Sequence, residues 1–332
     1  MQYDFIAIGD MVTDDFIELS DVRIDTDPDE GDKGYNEICF RFGDKIPYVN
    51  SVVVPAVGNS ANAAVSATRL GLSTAFISDT GADERGDKQM ETLRSNNVDT
   101  TYVRQHEGMP SNYHYVLRHG PERTILIKHS AFPYALPADM QGPRWFYFSS
   151  VGEHGLPYHH EIAEYVQKNN VKLAFQPGSF QISLGHETLK DIYAASELFF
   201  CNKEEAQRIL GSAEEDIVQL MHIMRELGPT IVCITDGANG AYAFDGSEAW
   251  FMPMYPDPAP PVDRTGAGDA FSSTFTAALA AGFDLPTALS WGPINSMSVV
   301  QDIGAQAGLL TRDKLEEYLH NAPEDYVAKK LL

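Results

Sequence analysis

Asp263-Arg264-Thr265-Gly266-Ala267-Gly268-Asp269-Ala270-Phe271 follows a Pro-rich run, Pro253 to Pro261, and opens an apolar segment, Phe271 to Ala281, without Gly, Pro or charge. Such a segment reads as a buried helix, so Gly266 and Gly268 stand where a loop becomes a helix N-terminus. The first four N–H groups of a helix lack intrahelical partners and lie at the positive end of its dipole. With no side chain in the way, an anion approaches those N–H groups closely, which makes Gly266-Ala267-Gly268 a candidate phosphate cradle. Asp269 falls in the first turn, where a carboxylate beside an anion site suits a general base acting on an attacking hydroxyl. Read alone, the same residues are also an ordinary capped helix start.

Composition narrows the setting. A chain of 332 residues buries a sizeable core, as one large α/β domain or two smaller ones. Hydrophobic residues make up 43% and charged residues 21%, a globular balance. No apolar run is long enough to cross a bilayer, and Met1-Gln2-Tyr3-Asp4 lacks a basic, then apolar leader, so a cytoplasmic protein without membrane partners is expected. The net charge of -23 argues against nucleic acid as a partner, since no basic face is available to neutralise a phosphate backbone. It leaves room for a nucleotide held by local N–H groups and Mg²⁺. Cys39, Cys201 and Cys233 are widely spaced and odd in number, which reads as reduced and structural.

Along the chain, Tyr3 to Gly9 is a buried first strand, and ligands of open α/β sheets bind beyond such carboxyl ends. Asp10, Asp14 and Asp15 follow it, and a carboxylate accepts hydrogen bonds from two sugar hydroxyls at once. Residues 18 to 34 look exposed, and residues 36 to 57 alternate as short strands. Gly58-Asn59-Ser60-Ala61-Asn62 opens a helix, for which Asn59-Ser60 is also a plain cap. Thr74 to Asp79 is a strand, Gly81 to Gly86 a loop and Asp87 to Asn96 a helix. Thr101 to Lys128 is strand-like again, with a turn at Gly120-Pro121-Glu122-Arg123 and with Tyr113, Tyr115 and His129 as possible contacts. Trp145-Phe146-Tyr147-Phe148 and Val171 to Phe175 are buried strands, the second leading to Gln176-Pro177. His154, His159 and His160 offer no closed ligand set for a metal. Leu198 to Cys201 delivers Asn202-Lys203-Glu204-Glu205, whose Asn and Glu face the same way and suit a hard cation through water, although alone they are a capping box. Thr230 to Thr235 leads into Asp236-Gly237-Ala238-Asn239-Gly240.

Asp-x-Thr-Gly-Ala-Gly-Asp-Ala-Phe resembles the C-terminal signature of the ribokinase family of sugar and nucleoside kinases, the phosphofructokinase-B type. Other landmarks occur in order: the N-terminal signature around Gly58 and Asn62, Gly-x-Asp-x-x-Gly at Gly81 to Gly86, Asn-x-x-Glu at Asn202 and Glu205, and Thr-x-Gly-x-x-Gly at Thr235, Gly237 and Gly240. The chain departs from the family where Asn59 replaces a second Gly, where Gln176-Pro177 follows a strand usually ending in Asp-x-Asn or Asn-Pro, and where Asp302 replaces a basic residue.

The resemblance implies a three-layer α/β/α fold with a largely parallel sheet and a small β-sheet lid. It makes residues 1 to 332 a single kinase domain, with lid strands drawn from about 12–56 and 100–130. It implies transfer of the γ-phosphoryl group of Mg·ATP to a hydroxyl, with Asp269 as base and Gly266, Ala267 and Gly268 as anion hole. Asp14, Gly58, Asn59 and Asn62 then bind the acceptor; Asn202, Thr235, Gly237, Gly240, Thr265 and Asn295 bind ATP. Glu205 serves Mg²⁺, and Asp263 with Thr265 and Gly304-Ala305-Gln306 holds a monovalent cation such as K⁺. A free sugar such as ribose or fructose is the expected acceptor, because no Arg or Lys cluster lies near the acceptor residues. A nucleoside is the alternative, and a non-catalytic sugar or nucleotide sensor is a rival of another class. A homodimer through the lid is a further implication.

Overall fold

The computed structural model describes residues 2–26, 36–120 and 122–332. In chain order come β1 (Phe5–Ile8), β2 (Val12–Leu19), β3 (Arg23–Thr26), β4 (Asn36–Cys39), β5 (Tyr48–Val57), α1 (Asn59–Arg69), β6 (Thr74–Gly81) and α2 (Glu84–Ser95). Next are β7 (Val103–His106), β8 (Tyr113–His119), β9 (Glu122–Lys128), β10 (Trp145–Phe148), α3 (Leu156–Asn169), β11 (Lys172–Phe175), α4 (Ser179–Leu184) and α5 (Lys190–Ala195). The last stretch holds β12 (Leu198–Asn202), α6 (Lys203–Leu210), α7 (Ile217–Glu226), β13 (Ile231–Thr235), β14 (Ala241–Phe244), β15 (Ala249–Met252), α8 (Ala267–Ala280), α9 (Leu285–Val299), α10 (Arg312–His320) and β16 (Lys329–Lys330).

The main sheet runs β16-β15-β14-β13-β12-β11-β10-β1-β6-β7. It is parallel from β13 to β7, and antiparallel where β14, β15 and β16 extend one edge. The central strands, FIAI and WFYF, are buried on both faces, as continuous apolar runs must be when helices cover both sides. Successive residues of a strand point to opposite faces. Phe5, Ala7, Trp145 and Tyr147 thus join one core with α1, α8 and α9, while Ile6, Ile8, Phe146 and Phe148 join a second with α3, α5 and α7. Helix, sheet and helix make the three layers expected.

A second sheet, β5-β2-β8-β9, is the lid. Two neighbouring rows cross it: Val54–Asp14–His114–Ile127, and beside it Val53–Asp15–Tyr115–Leu126. Adjacent rows of a pleated sheet face opposite ways. The Asp14 face covers the body of the protein, since Gly304 lies against Phe16 and Val54, which share that face. The segment expected to supply lid strands from residue 100 divides. β7 pairs with β6 at the main-sheet edge, and only β8 and β9 enter the lid. The helix expected to begin at Asp87 begins at Glu84, because Asp83 accepts a hydrogen bond from Gly86 N and caps it there. Of the exposed stretch 18 to 34, residues 27 to 34 lie outside the described residues, as does Pro121 of the expected turn.

Candidate active site

α8 begins at the motif expected to start it. Gly266 is its N-cap with φ 81, and an added Cβ would collide with Ala305, so the turn requires glycine on two counts. Gly268 leaves open space towards Gln176, whose Nε2 is the nearest atom a Cβ would meet. Asp269 is 9% exposed at the third helical position. Its carboxylate is gripped by two amides: Asn62 Nδ2 donates to Oδ2 (2.8 Å) and Gln176 Nε2 to Oδ1 (3.3 Å). Gln176 is oriented in turn by Tyr147 Oη and Ser272 Oγ, both bonded to its Oε1. Burial pushes the Asp269 carboxyl up to about 6 despite the lowering effect of both amides, and Glu205 adds to the rise.

Beside the cradle a cleft of about 410 Å³ is lined by Asn202, Thr235, Gly237, Gly240, Ala267 and Gly268, so these expected nucleotide residues are brought together from three segments. Lys203, Met254, Phe271 and Ser296 also line it. Two expected members are elsewhere. Thr265 donates its N–H and hydroxyl to Asp263 Oδ1. Asn295 is fully buried, with Nδ2 on Thr274 Oγ1 (2.7 Å) and Oδ1 accepting Leu310 N (2.9 Å). Its amide is therefore spent on tying α8, α9 and the following loop together, and Ser296, one position on, is the residue that reaches the cleft.

Asn202 and Glu205 form the capping box that starts α6: Asn202 Oδ1 accepts Glu205 N and Glu205 Oε2 accepts Asn202 N. Burial raises the Glu205 carboxyl, the cap bond opposing. A divalent cation fits beside it, because one carboxylate oxygen carries no bond and a positive charge would relieve both Glu205 and Asp269. Among the described residues no three His, Cys, Asp or Glu side chains gather to hold a metal alone, so such an ion would lean on phosphate oxygens and water. Asp263 differs. Besides Thr265 on Oδ1, Gly304 N donates to Oδ2 (3.0 Å), and Arg123 of the lid comes within 3.9 Å. Both its oxygens join the loop before α8 to Gly304.

On the acceptor side, Gly58 precedes α1 with φ 113 and packs so tightly on Asp10 O that a Cβ would lie 2.8 Å from it. Asn59 is the first residue of α1, and Asn62 is turned inward on Asp269. Asp14 Oδ1 is buried without a hydrogen-bond partner, 3.2 Å from His114 Nδ1. His114 Nε2 lies 3.0 Å from His129 Nε2, whose Nδ1 reaches Asp10 Oδ2 (2.9 Å), and Tyr134 Oη donates to Asp10 Oδ1 (2.7 Å). Hydrogen bonds thus run from Asp10 through His129 to His114, and His114 meets Asp14 at ion-pair distance only. Tyr113 and Tyr115 belong to the other face of the lid, where Tyr113 Oη donates to Asp15 and Arg85 stacks on its ring. His154, His159 and His160 serve local structure: they pair with Phe132 O, Gly155 O and Asp191.

A glycine turn into a helix that carries a gripped carboxylate, set against a largely parallel sheet with a small β lid, is the layout of the ribokinase-like fold. The pfkB family carbohydrate kinase model matches residues 32–312, and the chain belongs to that family. It is a phosphotransferase acting on an alcohol group of a carbohydrate-type acceptor. It is 29% identical to a ribokinase of Bacillus subtilis over 79% of this chain and 87% of that one. It is 26% identical to a nucleoside kinase of Methanothermobacter thermautotrophicus over 76% and 80%. Among solved structures, ribokinase of Arabidopsis thaliana complexed with ribose and ATP superimposes with a TM-score of 0.80 at 21% identity, covering 96% of this chain and 99% of that one. No helix among the described residues is long and apolar enough to cross a membrane.

Proposed function

We propose that this chain is one kinase unit, residues 1 to 332, that transfers the γ-phosphoryl group of ATP to a hydroxyl of a free sugar such as ribose or fructose. The observation that carries this reading is Asp269: a carboxylate buried at the N-terminus of α8, one position after the cleft-lining Ala267-Gly268 and hydrogen-bonded to Asn62. The acceptor oxygen attacks the γ-phosphorus, the bond to the β-bridging oxygen breaks, ADP leaves, and the hydroxyl proton passes to Asp269. A carboxyl raised to about 6 is ionised near neutrality yet basic enough to share that proton in the transition state. The N–H groups of Gly266 and Gly268 face charge developing on the phosphoryl oxygens, joined by that of Ala267 once it leaves its long bond to Arg264 O (3.5 Å). Glu205 and Asn202 would hold Mg²⁺, mostly through water; Mg²⁺ when bound neutralises the β- and γ-phosphates. The lid keeps water from the phosphoryl group.

Asp14 Oδ1 makes no hydrogen bond and has only the His114 imidazole beside it at 3.2 Å, which leaves it able to accept from a sugar hydroxyl. Among the described residues no Lys or Arg is bonded to Asp10, Asp14 or Asp269, which favours an uncharged acceptor over a sugar phosphate. The nucleoside kinase relative keeps a nucleoside as the second reading, although Tyr113 and Tyr115 are turned away from it. A coupled ADP-release assay with Mg·ATP, with and without K⁺, against sugars, sugar phosphates and nucleosides tests both. A free sugar ahead in kcat/KM by tenfold or more is expected. A nucleoside ahead by the same margin replaces the substrate, and bound ATP with no turnover on any acceptor turns the protein into a sensor. The outer row of the lid leaves Val53, Tyr115 and Leu126 exposed by 54%, 42% and 51%, which supports a homodimer through that face; sedimentation at monomer mass would remove it.

A further inference from the structure

A buried chain of carboxamides runs from a lid strand to Asp269. Ala56, near the end of β5, holds a left-handed backbone with φ 58, and its carbonyl accepts from Gln306 Nε2 (2.7 Å). The same Nε2 donates to Asn62 Oδ1 (3.0 Å), and Asn62 Nδ2 donates to Asp269 Oδ2. Asn62, Gln306 and Asp269 are all under a tenth exposed. The direction of this chain is fixed by two groups that only accept, the Asp269 carboxylate at one end and the Ala56 carbonyl at the other. A carboxamide turned end for end has almost the same shape, so a buried Asn points whichever way its partners demand. A backbone carbonyl only accepts, so Ala56 demands the NH₂ end of Gln306. That NH₂ group demands the oxygen of Asn62, which leaves the NH₂ of Asn62 as the end that meets the carboxylate. Without Gln306, Asn62 either keeps its pose with an unpaired buried oxygen, or turns and sets that oxygen against Asp269.

We infer that Gln306 is a positioning residue for phosphoryl transfer, which fixes the amide of Asn62 donor-first on Asp269 and anchors that alignment to the lid strand at Ala56. This rests on the reading of Asp269 as the base. Gln306 touches neither the cleft nor the cradle, so its loss should act on Asp269 and spare ATP.

The experiment is a double-mutant cycle on the full chain, using the acceptor that stands highest in the panel and, in parallel, water as acceptor. Gln306→Leu and the isosteric Gln306→Met should lower kcat about tenfold, the scale of one misplaced hydrogen bond to a charge, with the KM for ATP within about twofold. In an Asn62→Ala background the same substitutions should change kcat less than about twofold, since the group they orient is gone. The acid limb of the kcat–pH profile should move to higher pH in Gln306→Met, because the Asn62 bond favours the ionised base. Glu205 and Tyr147 also act on Asp269 electrostatically, and neither is bonded to Gln306. Equal losses in both backgrounds, or a Gln306→Met protein with kcat and acid limb of the wild type, overturn the inference. A misfolded variant announces itself by a changed KM for ATP, and Gln306→Met then decides. Asp269→Asn run alongside separates the two readings: retained turnover there removes the base, whereas a dead Asp269→Asn with additive Gln306 and Asn62 effects removes only the positioning role.

Discussion

Asp269→Asn should stabilise the protein at neutral pH while abolishing its turnover. The substitution keeps the volume and removes a charge from a site that is 9% exposed. Burial lifts this carboxyl from its ordinary 3.8 to about 6. At about 1.4 kcal/mol per pKa step, keeping it ionised costs the fold about 3 kcal/mol. The folded value lies above the unfolded one, so the folded state holds the proton more tightly. The cost is therefore absent below 3.8, grows between 3.8 and about 6, and is full above that. An amide recovers only part of it, because its NH₂ end must face either Asn62 Nδ2 or Gln176 Nε2, both donors, at a penalty of about 1–2 kcal/mol. Urea unfolding at about pH 8 should then find the variant more stable by about 1–2 kcal/mol, with the gain vanishing or reversing near pH 4.5. Turnover should drop about 10²- to 10⁴-fold, with ATP and acceptor still bound. A variant less stable at pH 8, or a difference independent of pH, refutes the burial argument. A kcat near that of the wild type refutes the base.

Three further substitutions probe the remaining parts. Gly266→Ala forces a side chain into Ala305 at a positive φ, so it should cost about 1–3 kcal/mol in urea unfolding and at least about tenfold in kcat; normal kcat would remove the cradle. Asp14→Asn should raise the acceptor KM about tenfold and leave that for ATP alone, as expected for one charge-assisted hydrogen bond; an unchanged acceptor KM moves the acceptor elsewhere. Glu205→Gln should raise the Mg²⁺ concentration needed for half-maximal rate and shift the acid limb of kcat to lower pH, since the Glu205 charge helps to raise Asp269; an unaltered Mg²⁺ titration would detach Glu205 from the ion.

The layered fold was legible because its signals are local. Apolar runs such as WFYF announce strands covered on both faces, and Gly266-Ala267-Gly268 announces a turn into a helix that only glycine can make. The antiparallel edge was not legible. β16 is two exposed residues, Lys329 and Lys330, with no pattern to read, and it becomes a strand only by meeting β15. α4 and α5 are short, six residues each, too brief to show a helical period.

The site divides along the same line. Each part carried by one segment, the cradle, the capping box at Asn202 and the acidic turn after β1, can be read where it stands. Gln176 and Gln306 cannot: their segments stand out in the sequence, but nothing local says that their side chains turn towards the α8 carboxylate. They gain their roles from Asp269, 93 positions away, and from Asn62, 244 positions away. Asn295 fails for a different reason. α9 is apolar on nearly every side, with ten of its fifteen residues buried, so the sequence holds no polar stripe to say which face meets the cleft. One step along a helix turns a side chain by about 100°, enough to send Asn295 into the core and Ser296 to the cleft. What sequence leaves open is therefore orientation: which end of an amide, which face of a helix. In this protein those choices are made by distant groups that cannot themselves be turned, such as the backbone carbonyl of Ala56 that sets Gln306, then Asn62, and so presents a donor to Asp269.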